Sequence, residues 1–175
     1  MRIDISEVIS DDFSSREYEL PIEMEELDFE GCVYPVSAKE PVSLHLVNKG
    51  RSRVAMEGSV RMSVLIPCSR CLKDVAVPFD FTSEMEMDFE KIRSGLSEDI
   101  EEFSFLDGSS LDVDRFVRNE LIVRLPAKVL CKEDCAGICP VCGQDLNEGE
   151  CGCDRTPADL RMSAIRDIFN EFKEV

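Results

Sequence analysis

Residues 53–89 read RVAMEGSVRMSVLIPCSRCLKDVAVPFDFTSEMEMDF, and the period of this stretch decides the fold. Val54, Met56, Val60, Met62, Val64 and Ile66 all fall on even positions. Val75, Val77, Phe79, Phe81, Met85, Met87 and Phe89 all fall on odd ones. Polar residues fill most of the gaps: Arg61 and Ser63 in the first run, then Asp80, Thr82, Glu84, Glu86 and Asp88 in the second. A period of two puts apolar side chains on one face of a strand and leaves the other face wet. The two runs therefore predict a long antiparallel hairpin, with Cys68-Ser69-Arg70-Cys71 at its tip.

Working outward, Val42, Leu44 and Leu46 alternate as well, and Asn48-Lys49-Gly50 is a turn signal leading into the long strand. That makes a meander of at least three strands. Ile3 and Ile5 suggest another short strand, 91–102 is expected to be a polar loop, and Phe103 and Phe105 to return as a strand. The period then changes. Val113, Phe116, Val117 and Leu121 follow helical spacing, with Asp112 as N-cap and Pro126 as stop, which predicts a helix over about 112–124. Leu160, Ala164, Ile165, Ile168 and Phe169 predict a second over 157–172. The fold class is α+β: a mostly antiparallel β meander with one or two helices and a four-cysteine, zinc-ribbon-like C-terminal module. The division expected is a β-rich α+β domain at 1–128 and a zinc-binding module with its helix at 129–175, packed together as one unit.

The chain has 175 residues and a formal charge of −17. Its 43% apolar content suffices for a core, so disorder throughout is excluded. No apolar run is long enough to span a bilayer, and the N-terminus has no apolar signal-peptide core, so a cytoplasmic location is expected. The acidity disfavours a generic nucleic-acid binder, because phosphate contacts need concentrated Lys and Arg. The charge is uneven, however. Two basic islands interrupt it: Arg51, Arg53, Arg61, Arg70 and Lys73, then Arg115, Arg118, Arg124 and Lys128.

Nine cysteines in a cytosolic chain point to metal or redox chemistry rather than to a disulfide framework. Cys32 stands alone and is expected to be a packed thiol. The other eight pair up: Cys68 with Cys71, Cys131 with Cys135, Cys139 with Cys142 in a C-P-x-C-G knuckle, and Cys151 with Cys153. Zinc takes four soft ligands in a tetrahedron, and two cysteines on one tight turn supply two of them. Gly143 suits a knuckle that must enter positive φ, and Gly152 lets the C-x-C bend. The economical pairing is Cys139, Cys142, Cys151 and Cys153 for one Zn2+, and Cys68, Cys71, Cys131 and Cys135 for a second. The second would staple the sheet to the C-terminal half. The segment 129–153 has too few large apolar residues to order itself, which makes a metal its organiser.

Two competing classes are a thiol redox protein using Cys68 and Cys71, and a zinc-ribbon regulator. Thioredoxin-like motifs open a helix after a strand, whereas Cys68–Cys71 sits between two strands. The acidic balance disfavours the regulator. A catalytic zinc needs an open coordination position, and two complete four-cysteine sets leave none. His45, the single histidine, lies on the polar parity of its strand and is read as solvated. No nucleophile constellation is present, so the chain is read as a non-enzyme.

C-S-R-C-L at 68–72 is followed by an alternating strand, by LDVDRFVRNELIVRLP at 111–126, by C-x3-C-A-G-I-C-P-V-C-G-Q-D-L-N at 131–147, and then by a C-x-C with Asp159 and Arg161 beyond it. In this order and spacing the chain resembles the YceD family, the large ribosomal RNA subunit accumulation proteins, over about 30–172. The first 30 residues add little. The resemblance implies a ribosome-biogenesis factor that supports 23S rRNA accumulation and large-subunit assembly. It also implies a large-subunit ribosomal protein as a possible partner, since the gene commonly neighbours one for such a protein. Members that lack the C-P-x-C-G knuckle yet keep the C-x-x-C and a metal-capable pair after the L-P segment imply two separable metal sites. The mechanism expected is binding, either of large-subunit rRNA or a pre-ribosomal particle through Arg70, Lys73, Arg118 and Arg124, or of a basic ribosomal protein through acidic surfaces. No membrane or small-molecule substrate is expected.

Overall fold

A computed structural model describes residues 1–94 and 103–154. The fold is mostly antiparallel β sheet, with three helices among the described residues. Contacts divide the chain into two units. One is Met1–Ser69 with Lys73–Cys131; the other is Arg70–Leu72 with the chain from Lys132 onward.

The first unit is built on one strand. β6 (Arg53–Pro67) and β7 (Asp74–Asp88) pair along their whole length, from Arg53 opposite Asp88 to Pro67 opposite Asp74. The even set of β6, from Val54 to Ile66, is buried, and Phe79, Met87 and Phe89 of the odd set join it in the core. Fully burying a side chain of this size stabilises by about 1.5–3 kcal/mol, and a register slip of one residue would turn the whole even set to water. The other edge of β6 is shared. β5 (Val42–Asn48) pairs with Val54–Ser59, and β4 (Cys32–Lys39) pairs around Met62–Val64, with an irregularity between Val36 and Ala38. β2 (Ser15–Leu20) extends the sheet beyond β5, and β3 (Glu26–Phe29) extends it beyond β4.

The ladder phase of the long hairpin is fixed at both ends. The Phe89 N–H donates to the Ser52 carbonyl at 3.0 Å, and the Cys68 N–H donates to the Lys73 carbonyl at 2.8 Å. Hydrogen-bonded pairs alternate in an antiparallel ladder, so the odd residues of β7 bond to β6 and the even ones turn their N–H and C=O groups away from it. Pro78 is an even residue. Its missing N–H falls where β6 needs none, which is why a proline is tolerated in mid-strand.

The N-terminal thirty residues do more than expected. β1 (Arg2–Asp4) is the strand anticipated at Ile3, but Ile5 leaves it and stands at the start of α1 (Ser6–Ser10). Asn48 is buried beneath that helix. Its amide donates to the carbonyls of Val8 and Ile9 at 2.7 and 3.1 Å, and its oxygen accepts from the Gly50 N–H at 2.6 Å. One turn residue thus satisfies a helix end and opens the long strand.

The polar loop expected over 91–102 begins instead as α2 (Phe89–Ser94), because Asp88 accepts from the N–H groups of Glu90 and Lys91 at 3.1 and 3.2 Å. Residues 95–102 lie outside the described residues, as does the helix expected over 157–172. The strand expected at Phe103 and Phe105 falls slightly later. β8 (Leu106–Asp107) pairs with β9 (Ser110–Asp112), which also pairs with β1. Phe105 is needed in the core, edge-on to Phe116 at 5.5 Å.

α3 (Val113–Arg124) matches its expected span. The Asp112 carboxylate accepts from the Arg115 N–H at 3.2 Å, and Val113, Phe116, Val117 and Leu121 are buried. Gly58 of β6 is where α3 comes closest to the sheet. A Cβ there would lie 2.7 Å from Phe116 Cζ, closer than real Cβ atoms approach. Asp114 ties the N-terminal segment to the helix, accepting from the Met1 ammonium and from the N–H groups of Glu23 and Met24 at 2.8 and 3.0 Å. Burial pushes the Asp114 carboxyl up, but the Met1 ammonium and these two N–H groups outweigh it and hold it below the usual carboxylate range.

Candidate metal centres

The sulfurs of Cys139, Cys142, Cys151 and Cys153 lie within 4.8 Å of one another, and so do those of Cys68, Cys71, Cys131 and Cys135. Four sulfurs around a zinc ion at about 2.3 Å stand about 3.8 Å apart, so either group fits a tetrahedral ion with little closure. All eight donors are thiols, which suits zinc and does not suit calcium or magnesium.

Two knuckles position the first pair of ligands in each group. At Cys139–Gly143 the chain turns back on itself. The Gly143 N–H donates to the Cys139 carbonyl at 2.8 Å, with Gly143 at φ +76° and Gly152 at φ +67° beyond it. Backbone N–H groups of Cys142 and Val141 point at the Cys139 sulfur and lower its pKa to about 6. Cys153 shares protons with Cys142 and Cys151, and its pKa is pushed up to about 12. One thiolate made ready and another held protonated by its neighbours describe a crowded thiol set. A divalent cation would let all four ionise.

At Cys68–Cys71 the positive-φ place after the second cysteine is held by Leu72, at φ +62°. A branched side chain there is unusual, and Leu72 is 63% exposed. Within the sheet unit, Ser69 and Val129 bind each other through backbone and hydroxyl at 2.8 and 3.2 Å, and the Cys131 N–H points at the Cys68 sulfur at 3.4 Å. Within the other unit, Arg70 anchors the loop of Cys135. Its guanidinium donates to the Cys135 carbonyl at 2.7 Å, and its own carbonyl accepts from the Ile138 N–H at 3.2 Å. Gly137, at φ +79°, passes so close beneath that a Cβ would lie 3.0 Å from the Arg70 oxygen.

Two supporting residues are not evident from spacing. Leu72 is one, since nothing in C-x-x-C-L announces a left-handed backbone. Asn147 is the other: its amide donates to the Cys135 sulfur at 3.4 Å and to Asp145 at 2.6 Å, and its oxygen accepts from the Ala136 N–H at 2.9 Å. An Asn twelve residues from a cysteine carries no motif.

The basic residues named from the sequence are largely engaged within the chain. Arg70 holds Cys135, Arg118 donates to the Asp28 carbonyl at 2.8 Å, and Arg124 meets Glu120 while lying 4.2 Å over the Phe81 ring. Lys73 is exposed at the start of the turn back into β7. His45 is half-buried, with its ring 2.9 Å from the Ser15 hydroxyl. Cys32 is exposed, contrary to the packed thiol expected. It occupies the first rung of the β3–β4 hairpin, next to the positive-φ turn Glu30-Gly31, where no core reaches it. No helix among the described residues is long and apolar enough to cross a membrane.

The chain is similar to an uncharacterized protein of Bacillus subtilis (strain 168), YlbN, with 24% identity over 134 residues, covering 72% of this chain and 75% of that protein. No solved structure matches it. The family model described as large ribosomal RNA subunit accumulation protein YceD matches residues 56–169, from the long hairpin through both cysteine groups. The chain belongs to the YceD family.

Proposed function

We propose that this protein is a non-catalytic, cytoplasmic factor of large-subunit ribosome biogenesis that supports 23S rRNA accumulation by binding a basic ribosomal protein. The observation that carries the role is the family match over residues 56–169. The choice of a protein partner over rRNA rests on charge. The chain carries −17 overall, and Arg70, Arg118 and Arg124 each donate to a carbonyl or carboxylate of the protein itself. Two Zn2+ ions, one in each four-cysteine group, would serve as structural cross-links, with every coordination position filled by the protein.

Depletion of the protein should lower 23S rRNA relative to small-subunit rRNA. Capture of the native protein should retain a ribosomal protein after nuclease treatment, and elemental mass spectrometry should return about two zinc ions per chain. Unchanged 23S rRNA on depletion refutes the role. Loss of all captured protein with nuclease returns the assignment to rRNA. Two readily alkylated thiols at Cys68 and Cys71 in the metal-loaded protein would favour redox chemistry instead.

A further inference from the structure

Among the described residues β7 pairs with β6 alone, and its outer edge faces no other strand. The ladder phase fixed by Phe89 with Ser52 and Cys68 with Lys73 sends the N–H and C=O groups of the even residues outward. Pro78 interrupts that outward row. From Asp80 to Asp88 it runs unbroken through five residues: Asp80, Thr82, Glu84, Glu86 and Asp88. A long strand edge of this kind is a template for another chain, and proteins usually blunt it with charge or proline. Here the proline lies to one side of the run, and the charges on it all have one sign.

That sign selects the occupant. A second copy is disfavoured, because a two-fold pairing centred on Glu84 sets Glu84 against Glu84 and Asp80 against Asp88. The rungs behind the edge are balanced at four places and unbalanced at one. Asp80 meets Arg61 at 3.3 Å, Thr82 meets Ser59 at 3.1 Å, Glu86 meets Lys49 at 2.8 Å, and Asp88 stands opposite Arg53. Glu84 stands opposite Glu57, and neither makes an ion pair among the described residues. Both carboxylates line an open hollow of about 500 Å³ on the wet face of the sheet, together with His45, Val47, Ala55 and the Lys49–Glu86 pair, which is neutral as a pair and leaves Glu57 and Glu84 uncompensated. Like charges directly opposed destabilise a sheet, so an arriving cation would be favoured there twice over.

We propose that the outer edge of β7 from Asp80 to Asp88 accepts an extended, basic segment of a partner protein as an added strand, with one Lys or Arg side chain seated in the hollow between Glu57 and Glu84. The main chain of the added strand supplies the affinity and the spacing of its cations supplies the selection. That the partner is a ribosomal protein rests on the reading above; the docking mode does not.

The test uses the full-length, zinc-loaded chain labelled for amide hydrogen exchange. The probe is an eight-residue peptide of alternating lysine and valine, and the control is the same peptide with glutamate for lysine. The lysine peptide should slow exchange at Thr82, Glu84, Glu86 and Asp88, leave the odd amides of β7 unchanged, and bind more weakly in salt. Glu84→Lys should weaken binding about tenfold while raising the melting temperature, because it replaces a repulsive cross-strand pair with an attractive one. Opposite changes in binding and stability separate docking from loss of the fold. Thr82→Pro should abolish protection of the neighbouring edge amides and leave the β6 ladder intact.

The inference is overturned if the lysine peptide does not bind, or binds without protecting those amides. It is equally overturned if the amides are already protected by self-association, or if a short RNA duplex protects them instead. If the edge stays open while depletion still lowers 23S rRNA, the docking mode falls and the biogenesis role stands. If the edge binds as stated and 23S rRNA is unaffected by depletion, the reverse holds.

Discussion

Substituting Gly58 by alanine adds one methyl group at the closest approach of α3 to the sheet. That carbon would lie 2.7 Å from Phe116 Cζ, 2.9 Å from Cε1 and 3.1 Å from Leu44 Cδ2. Carbon atoms prefer about 3.5–4.0 Å, so the ring must retreat by nearly 1 Å. It has nowhere to go, since Phe116 is fully buried and set edge-on to Phe105 at 5.5 Å. Overpacking of this kind costs up to about 3 kcal/mol. Alanine returns up to about 1 kcal/mol by restricting the unfolded chain. The net loss is about 2 kcal/mol, which for a chain of this size lowers the melting temperature by about 4–8 °C. Urea unfolding followed by circular dichroism at fixed zinc concentration measures it. Phe116→Leu should cost stability in the parent but recover part of the loss in the alanine background, giving a coupling of at least about 1 kcal/mol. A Gly58→Ala protein as stable as the parent, or additive effects of the two changes, would falsify the packing argument.

Leu72→Gly should stabilise the protein by about 0.5–1 kcal/mol by relieving a positive φ, and Leu72→Val should destabilise it; urea midpoints of the two variants suffice. Asp114 is held below the usual carboxylate range in the fold, so its contribution is present above the unfolded value and is lost as pH falls through the depressed one. Asp114→Asn should therefore cost about 1–2 kcal/mol near pH 7, discounted for partial exposure, with the gap closing in acid; a gap independent of pH would contradict this. Cys139, Cys142, Cys151 and Cys153 should be silent to a brief alkylation pulse in the zinc-loaded protein and all be modified once a chelator is added; equal labelling with and without chelator, read by peptide mass spectrometry, would show that metal does not organise this segment.

The long hairpin is legible because nothing interrupts its alternation, and α3 because its cap, its apolar stripe and Pro126 agree. β5 and β1 are legible too, but the three strands between them are not. β2 is an edge strand that turns only Tyr18 and Leu20 inward, β3 has four residues, and β4 is broken by an irregularity between Val36 and Ala38. α1 has five residues and no side-chain cap, so it leaves no helical period. At the cysteines, spacing names the eight thiols but not what aims them. Leu72 holds a backbone shape that its identity argues against, and Asn147 meets the Cys135 sulfur across the Cys139–Gly143 reversal, whose motif does not name Asn147. Cys32 shows the limit of residue averages: a side chain that is usually buried stays exposed where a two-stranded turn has no layer behind it.

β6 carries β7 on one edge and both β5 and β4 on the other, and this arrangement bears on which length changes the chain can survive. Losing or gaining one residue within Arg53–Pro67 would displace three pairings at once and turn part of the buried set to water. A residue inserted at the Glu30-Gly31 or Gly108 turns would disturb one hairpin, where an added Cβ at Gly31 or Gly108 meets nothing within 4 Å. Over evolutionary time the central strand is therefore expected to keep its length while its turns vary.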